Sequence, residues 1–350
     1  MKSKLNLFGK DKYYANPGNW SGEIRNIMPI YTRARAIAMP QKPGVSGMYE
    51  QIEAAARTCY RSEGFTKYDE QGNSITASEF VPRIVKTYKH ESVGEHGTVY
   101  LVGRAEKGVH PVGDWWVQKY FHNPYSRVVR KEAEVYEYFY ITTNYRVLVE
   151  NGWEADLKYW SEPTEFHVRR YTVRLFTDRG VSAESNRHRA NSPTERSTRF
   201  VNYGHDGAIT VCVPDEYSEK EINRAVQEWG NVDLAFRNMC SSIGTGHDDM
   251  FEVIDTWLFA NMACEWAYLR LLKLGQKPQQ ARRVLPMDVE TELVVTAFPD
   301  DWAKYFGWRF YGFTGTPHPD IRVLAGHIMD EFLAQGWTEP LNLAQKFYLK

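Results

Sequence analysis

The alternation over Phe166–Phe176 constrains this chain more than any other stretch. Tyr171, Val173 and Leu175 fall on one side of a period-two pattern, and Arg170, Thr172 and Arg174 on the other. That pattern predicts a strand with one apolar and one polar face. Asp178-Arg179-Gly180 ends it, and Ser182 is placed to cap a short helix carrying Glu184, Arg187 and His188. A half-apolar strand needs a sheet and a covering layer. The rest of the chain mixes helical and strand patterns without a regular βαβ rhythm. The expected fold class is therefore α+β, with a central, mainly antiparallel sheet flanked by helices.

Residues 1–45 read as an N-terminal extension, because Asn16-Pro17-Gly18 and Pro40-Gln41-Lys42-Pro43-Gly44 are breakers with little periodic pattern between them. Residues 46–350 read as a single domain with an insertion at about 103–165. Apolar spacing predicts helices from Met48 to Cys59, over Phe80–Tyr88, Glu219–Arg237 and Phe251–Leu274, and over Asp300–Trp308 and Asp320–Gln335. A further short helix is predicted over Gln279–Arg283. Thr98–Val102 reads as a strand, and Val135–Val149 is aromatic and β-branched, with strand character. Gly275 stands where a glycine follows a helix end, with Lys273 in the last turn and Pro278 beyond.

Composition removes several function classes. With 43 Lys+Arg against 44 Asp+Glu the net charge is -1, which argues against a generic nucleic-acid binder. No apolar run is long enough for a spanning helix, and Met1–Lys10 has no apolar leader core, so no membrane partner and no secretion are expected. Cys59, Cys212, Cys240 and Cys264 are scattered, without a CxxC, which suits a reducing, cytoplasmic setting. No G-x-G-x-x-G and no G-x-S-x-G occurs. His90-Glu91-Ser92-Val93-Gly94-Glu95-His96 fits neither H-E-x-x-H nor H-x-x-E-H, so no metal is expected and the segment reads as a polar helix-to-strand turn.

The chemistry concentrates in residues 184–200. The segment holds Glu184, Arg187, His188, Arg189, Glu195, Arg196, Ser197, Thr198 and Arg199, interleaved with small residues and Pro193. A loop of this kind brings backbone N–H groups and guanidinium forks to one anion. A second arginine set lies downstream at Arg282-Arg283 and at Arg309, after Tyr305-Phe306-Gly307-Trp308. The residues alone imply an anion site, for a phosphate ester, with an aromatic-lined neighbour.

Arg187-His188-Arg189, seven residues, then Ser197 resembles the signature of flavin-dependent thymidylate synthases, with Glu195 inside the spacing and Arg199 two beyond the serine. Other blocks agree in order: Ala56–Glu63 is similar to the family's opening helix, His90–His96 to its folate- and flavin-side segment, and Pro278–Pro286 with Thr291–Arg309 to its C-terminal site. The resemblance implies that dUMP is converted to dTMP with FAD, NADPH and methylenetetrahydrofolate. It also implies a homotetramer with shared active sites and no cysteine nucleophile. It places Ser92, Arg187, His188, Arg189, Glu195 and Lys304 on FAD. Glu184, Arg187, Glu195, Ser197, Thr198, Arg199, Arg282 and Arg309 would meet dUMP. Arg309 would oppose negative charge on the uracil edge, Ser197 would contact or activate the nucleotide, and His90 would lie near folate and flavin. Phe298-Pro299-Asp300 departs from the family, which usually carries Asn first and often Arg third on the flavin, and Lys304 replaces a flavin-side Asn or His. Those departures motivate an alternative, a related enzyme that modifies pyrimidine nucleotides, for example by hydroxymethylation.

Overall fold

The computed structural model describes residues 27–107, 116–188 and 190–348. Among them the strands are Ile30–Thr32 (β1), Arg35–Ala38 (β2), Thr98–Glu106 (β3), Arg127–Glu132 (β4), Tyr136–Asn144 (β5), Tyr171–Asp178 (β6), Ser192–Glu195 (β7), Thr210–Cys212 (β8) and Glu290–Ala297 (β9). They form an antiparallel four-stranded sheet in the order β2-β6-β9-β7, an antiparallel three-stranded sheet in the order β3-β5-β4, and a parallel β1-β8 pair. The expected class, α+β with a mainly antiparallel central sheet and flanking helices, is the one observed. No helix of the described residues is long and apolar enough to cross a membrane.

Strand β6 shows the two faces that its sequence encodes. Tyr171, Val173 and Leu175, with Leu293, Val295 and Ala297 of β9, pack against the Pro299–Arg309 and Pro319–Ala334 helices around Trp302, Phe306 and Phe332. The polar face is also buried, under the Gly44–Tyr60 helix and the Glu91–His96 turn. Many of its groups are paired, though Arg170 Nε and Arg174 Nε have no hydrogen-bond partner among the described residues. His96, fully buried, contacts the Thr296 hydroxyl through Nδ1 and the Thr194 hydroxyl through Nε2, both at 2.8 Å, and Thr296 bonds Thr172 at 2.8 Å. Burial, and then the nearby Arg170 charge, pushes the His96 pKa down to about 3. The ring is thus neutral, offering one donor and one acceptor to two hydroxyls. Glu292 is bonded to Arg196 and lies 3.4 Å from Arg174 Nε.

Two further cores are seen among the described residues. One gathers Met48, Ile52 and Ala56 against Val99, Leu101, Phe139 and Ile141 of the three-stranded sheet. The other packs the Glu219–Glu228, Ala235–Gly244 and Val253–Lys273 helices on Tyr31, Ile209 and Val211.

Several local expectations change. The segment 1–45 does not lie wholly outside the fold, since β2 pairs with β6, β1 with β8, and Ile27 and Tyr31 are 3% and 2% exposed. These strands are three and four residues long and gain their order from tertiary pairing. Strand β5 stops at Asn144, whose side chain accepts from Val147 N at 3.1 Å and opens the Tyr145–Asn151 helix. The helix expected over Glu219–Arg237 is two, parted by Gly230 (φ 109°) and Asn231 (φ 154°). Asp178, not Ser182, caps the Arg179–Ser185 helix by accepting from Val181 N at 2.8 Å. Arg187 and His188 lie past the end of that helix.

Candidate active site

The helix Arg179–Ser185 leaves β6, and β7 returns along β9 at the sheet edge, where Pro193 costs no interior ladder bond. This turnback sets the geometry of the 184–200 segment. At its base lies Glu195. Its Oε1 accepts from Arg179 Nη1 at 2.7 Å, from Ser182 Oγ at 2.7 Å and from Thr291 Oγ1 at 2.9 Å, and its Oε2 from Asn186 Nδ2 at 3.3 Å. Ser182, expected as a cap, is thus a partner of Glu195. The carboxylate ties the helix, β7 and β9 together.

Arg309, the last residue of the Pro299–Arg309 helix, reaches the other side of the turnback. Its Nη1 donates to Glu184 Oε2 at 2.9 Å, Nη2 to the Glu184 carbonyl at 2.8 Å, and Nε to His188 Nε2 at 3.0 Å. His188 is 6% exposed, with its ring 4.7 Å from Tyr305 and 5.2 Å from Trp308. Burial, followed by the Arg309 charge, lowers its pKa to about 4. A neutral His188 can accept through Nε2, as the observed bond requires. Tyr305 bonds Ser185 Oγ at 3.1 Å, and burial raises its pKa to about 12. Each Arg309 nitrogen donates once, so one N–H on each terminal nitrogen remains for another acceptor.

These groups border a cleft of about 590 Å³ lined by Ala183, Glu184, Arg187, Trp308, Arg309 and Thr314. Arg187 is exposed and has no side-chain partner among the described residues. The cleft takes no residue from Ser197–Arg199 or from His90–Ser92.

The Ser197–Phe200 turn lies beside the Gly44–Tyr60 helix, with Ser197 N donating to the Cys59 carbonyl at 2.9 Å. Ser197 Oγ accepts from Arg199 N at 3.1 Å and from Phe200 N at 3.4 Å, so the hydroxyl shapes its own turn. Arg282 Nη1 donates to Thr198 Oγ1 at 3.0 Å, and the exposed Arg199 lies 4.9 Å from the Phe200 ring centroid. His90 is exposed and shares a 2.8 Å hydrogen bond between Nδ1 and the Tyr60 hydroxyl; Ser92 is exposed. Cys59 lies within the opening block, and burial together with the Glu195 charge raises its pKa, which keeps it a thiol.

The two departures sit differently, since Phe298 points into the protein and Lys304 is exposed. Phe298 is 6% exposed, with the Arg127 and Arg170 guanidinium carbons 4.6 and 5.4 Å from its ring centroid. Lys304 pairs with Asp301 at 3.1 Å and lies 3.9 Å from Asp300. Arg189 lies outside the described residues. Among the described residues no group of three or more His, Cys, Asp or Glu could hold a metal ion. The structure adds Arg179, Ser182 and Thr291 around Glu195. No local signal links Thr291 to Glu195, 96 residues away.

Residues 156–335 match the family described as thymidylate synthase complementing protein. The chain belongs to that family. Its members are the flavin-dependent thymidylate synthases, a class of methyltransferases. Among solved structures, the chain is similar to the UMP/dUMP methylase PolB from Streptomyces cacaoi bound with 5-Br dUMP, at 13% identity and TM-score 0.35, over 90% of this chain and 95% of that one. It is also similar to thymidylate synthase X from Helicobacter pylori with FAD and dUMP, at 12% identity and TM-score 0.36, over 89% of this chain and 99% of that one. No curated protein matches the sequence.

Proposed function

We propose that this member of the thymidylate synthase complementing protein family converts dUMP to dTMP, with methylenetetrahydrofolate as the one-carbon donor, NADPH as the reductant and FAD as the cofactor. The observation that carries the reading is Arg309. It is held by Glu184 and the neutral His188 at a cleft, with two N–H groups to spare. Making C5 of a uracil ring nucleophilic builds negative charge on the ring edge, and a guanidinium fixed beforehand opposes that charge without reorganising. An arginine also keeps its own proton throughout.

The remaining residues take binding roles in this reading. Arg282, exposed at the Thr198 hydroxyl, and Arg199, exposed beside the Phe200 ring, present forks suited to a phosphate dianion. Ser197 and Thr198 add hydroxyl contacts, and Ser197 holds the turn in shape rather than acting as a nucleophile, since no histidine among the described residues is hydrogen-bonded to it. Glu195 acts as a positioning residue for the turnback, and Glu184 as one for Arg309. The cleft suits a flavin in its donor chemistry: an unpartnered Arg187 faces the same space as the Trp308 ring. Arg187, His188, Arg189 and Ser92 are the residues that would hold FAD, with Lys304 at the edge through its pairing with Asp301. When bound, FAD supplies hydride transfer and one-carbon carriage; the chain supplies position and field. His90 would stand toward folate.

The separation seen in one chain, where His90, Ser92 and the Ser197–Arg199 turn lie outside the Arg309 cleft, supports a homotetramer with shared active sites. The experiment is anaerobic NADPH oxidation with FAD and methylenetetrahydrofolate, with and without dUMP, followed by mass analysis of the nucleotide. dUMP-dependent oxidation yielding dTMP supports the proposal. A hydroxymethylated nucleotide in its place assigns the chain to the alternative chemistry, and oxidation without any nucleotide product overturns both.

A further inference from the structure

The three-stranded sheet carries a surface that the proposed reaction does not use. Its central strand is β5, and Tyr136, Tyr138 and Tyr140 alternate onto one face, while Phe139 and Ile141 enter the core behind. Ring centroids step along the strand at 6.5 Å from Tyr136 to Tyr138 and 6.5 Å from Tyr138 to Tyr140. All three tyrosines are half-buried, and no hydrogen bond to their hydroxyls is seen among the described residues. Register places Arg104 of β3 and Lys131 of β4 directly opposite Tyr138, one on each side. Both cations are exposed and neither has an acidic partner among the described residues. Arg104 lies 4.6 Å from the Tyr136 ring centroid, and Lys131 5.0 Å from that of Phe166, which itself packs 4.9 Å from Tyr140. Arg130, on the opposite face, is by contrast paired with Glu132 and Glu137.

We propose that this face binds single-stranded nucleic acid, with bases stacking on Tyr136 and Tyr138 and phosphates meeting Arg104 and Lys131. A row of rings spaced along one strand suits bases that are free to splay, as they are in a single strand and are not in a duplex. Arg104, over one face of the Tyr136 ring, and Lys131, over the Phe166 ring, place cations within reach of an anionic backbone that runs past the stacked bases. The overall charge of -1 does not oppose this, because the cations are local; Glu106 opposite Tyr136 and Glu165 near Tyr140 are carboxylates at the same face. Two phosphate contacts give weak binding, and the salt dependence is correspondingly shallow.

The test is fluorescence anisotropy of a fluorescein-labelled oligo(dT) and an oligo(rU) with the full chain across a salt series. The expected dissociation constant is on the order of micromolar, with a log–log salt slope of about −1.4 from two contacts. Replacing Arg104→Gln and Lys131→Gln together should bring the slope near zero with an unchanged melting temperature, and Tyr138→Ala should weaken binding about tenfold. dUMP-dependent turnover should stay unchanged in the charge variant. Absence of binding overturns the proposal. So does binding that dUMP displaces, which would place the oligonucleotide in the nucleotide cleft, and so does binding indifferent to the charge variant. A change of oligomeric mass in that variant would assign the face to contact between copies and overturn it likewise.

Discussion

The arginines of the candidate site are held in two different ways. Arg309 has a side chain 19% exposed, and it spends three N–H groups on Glu184 and His188. Arg187, Arg199 and Arg282 are exposed, and the contacts of the last two are a single ring face and a single hydroxyl. A cation fixed before substrate arrives acts on the charge that develops during reaction. One that is loose must first be ordered, so its contribution goes to binding. The comparison therefore separates rate from affinity.

Its largest expected breakage is Arg309→Ala. Turnover should fall by about 10² to 10³ while the circular dichroism spectrum is preserved, as for the loss of a fixed electrostatic donor. Near-normal turnover would place Arg309 among the loose arginines. Next comes Arg199→Ala. dUMP affinity should fall by roughly tenfold to a hundredfold, the worth of a charge-assisted bond, with bound flavin unchanged by absorbance and turnover at saturating dUMP little altered. A turnover loss equal to that of Arg309→Ala would erase the distinction.

His188→Phe should have a smaller effect, about tenfold in turnover at constant dUMP affinity, because Arg309 keeps Glu184. The same histidine sets a pH window. Its folded pKa is about 4 against an ordinary 6.5, so it contributes stability that is present above 6.5 and lost as the pH falls toward 4. Melting temperature followed through that range should drop for the native chain and drop less for His188→Phe. Equal slopes would mean that His188 is not buried neutral. The smallest effect serves as a control outside the lining of the cleft. Glu265, fully buried and accepting from Ile209 N at 3.0 Å, has its pKa raised by burial to about 8. A raised carboxyl favours the fold below its ordinary 4.5, and that advantage is lost as the pH climbs to 8. Glu265→Gln should therefore raise the melting temperature by roughly 2 °C above that range and leave dUMP binding alone.

What was legible in the sequence follows the range of each interaction. The two faces of β6 could be read because a period of two is local, and helices at Gly44–Tyr60, Val253–Lys273 and Pro299–Arg309 because their spacing is. The cap at Asp178 was misassigned to Ser182 because both residue types cap helices; the choice is made by Glu195, which takes the serine hydroxyl. Strand β7 is four residues with a proline, and it is a strand through its pairing with β9. Arg309 was singled out from the resemblance, but its partnership with Glu184 spans 125 positions and has no local trace. The motif marked which residues gather; only packing decides that Glu184 answers an arginine from the last turn of a distant helix.

His96 has a consequence for motion. Both ring nitrogens are engaged, one to β9 through Thr296 and one to β7 through Thr194, and the ring sits where water does not reach. The turn bearing His90 and Ser92 is thereby bolted to the strands that carry Glu195 and Thr291. That joint has no free rotation to give, so it works as a fixed ruler rather than a hinge. Any adjustment that admits a nucleotide falls to the Ser197–Phe200 turn and the side chains of Arg187, Arg199 and Arg282, while the distance from the His90 turn to the sheet is set once, on folding.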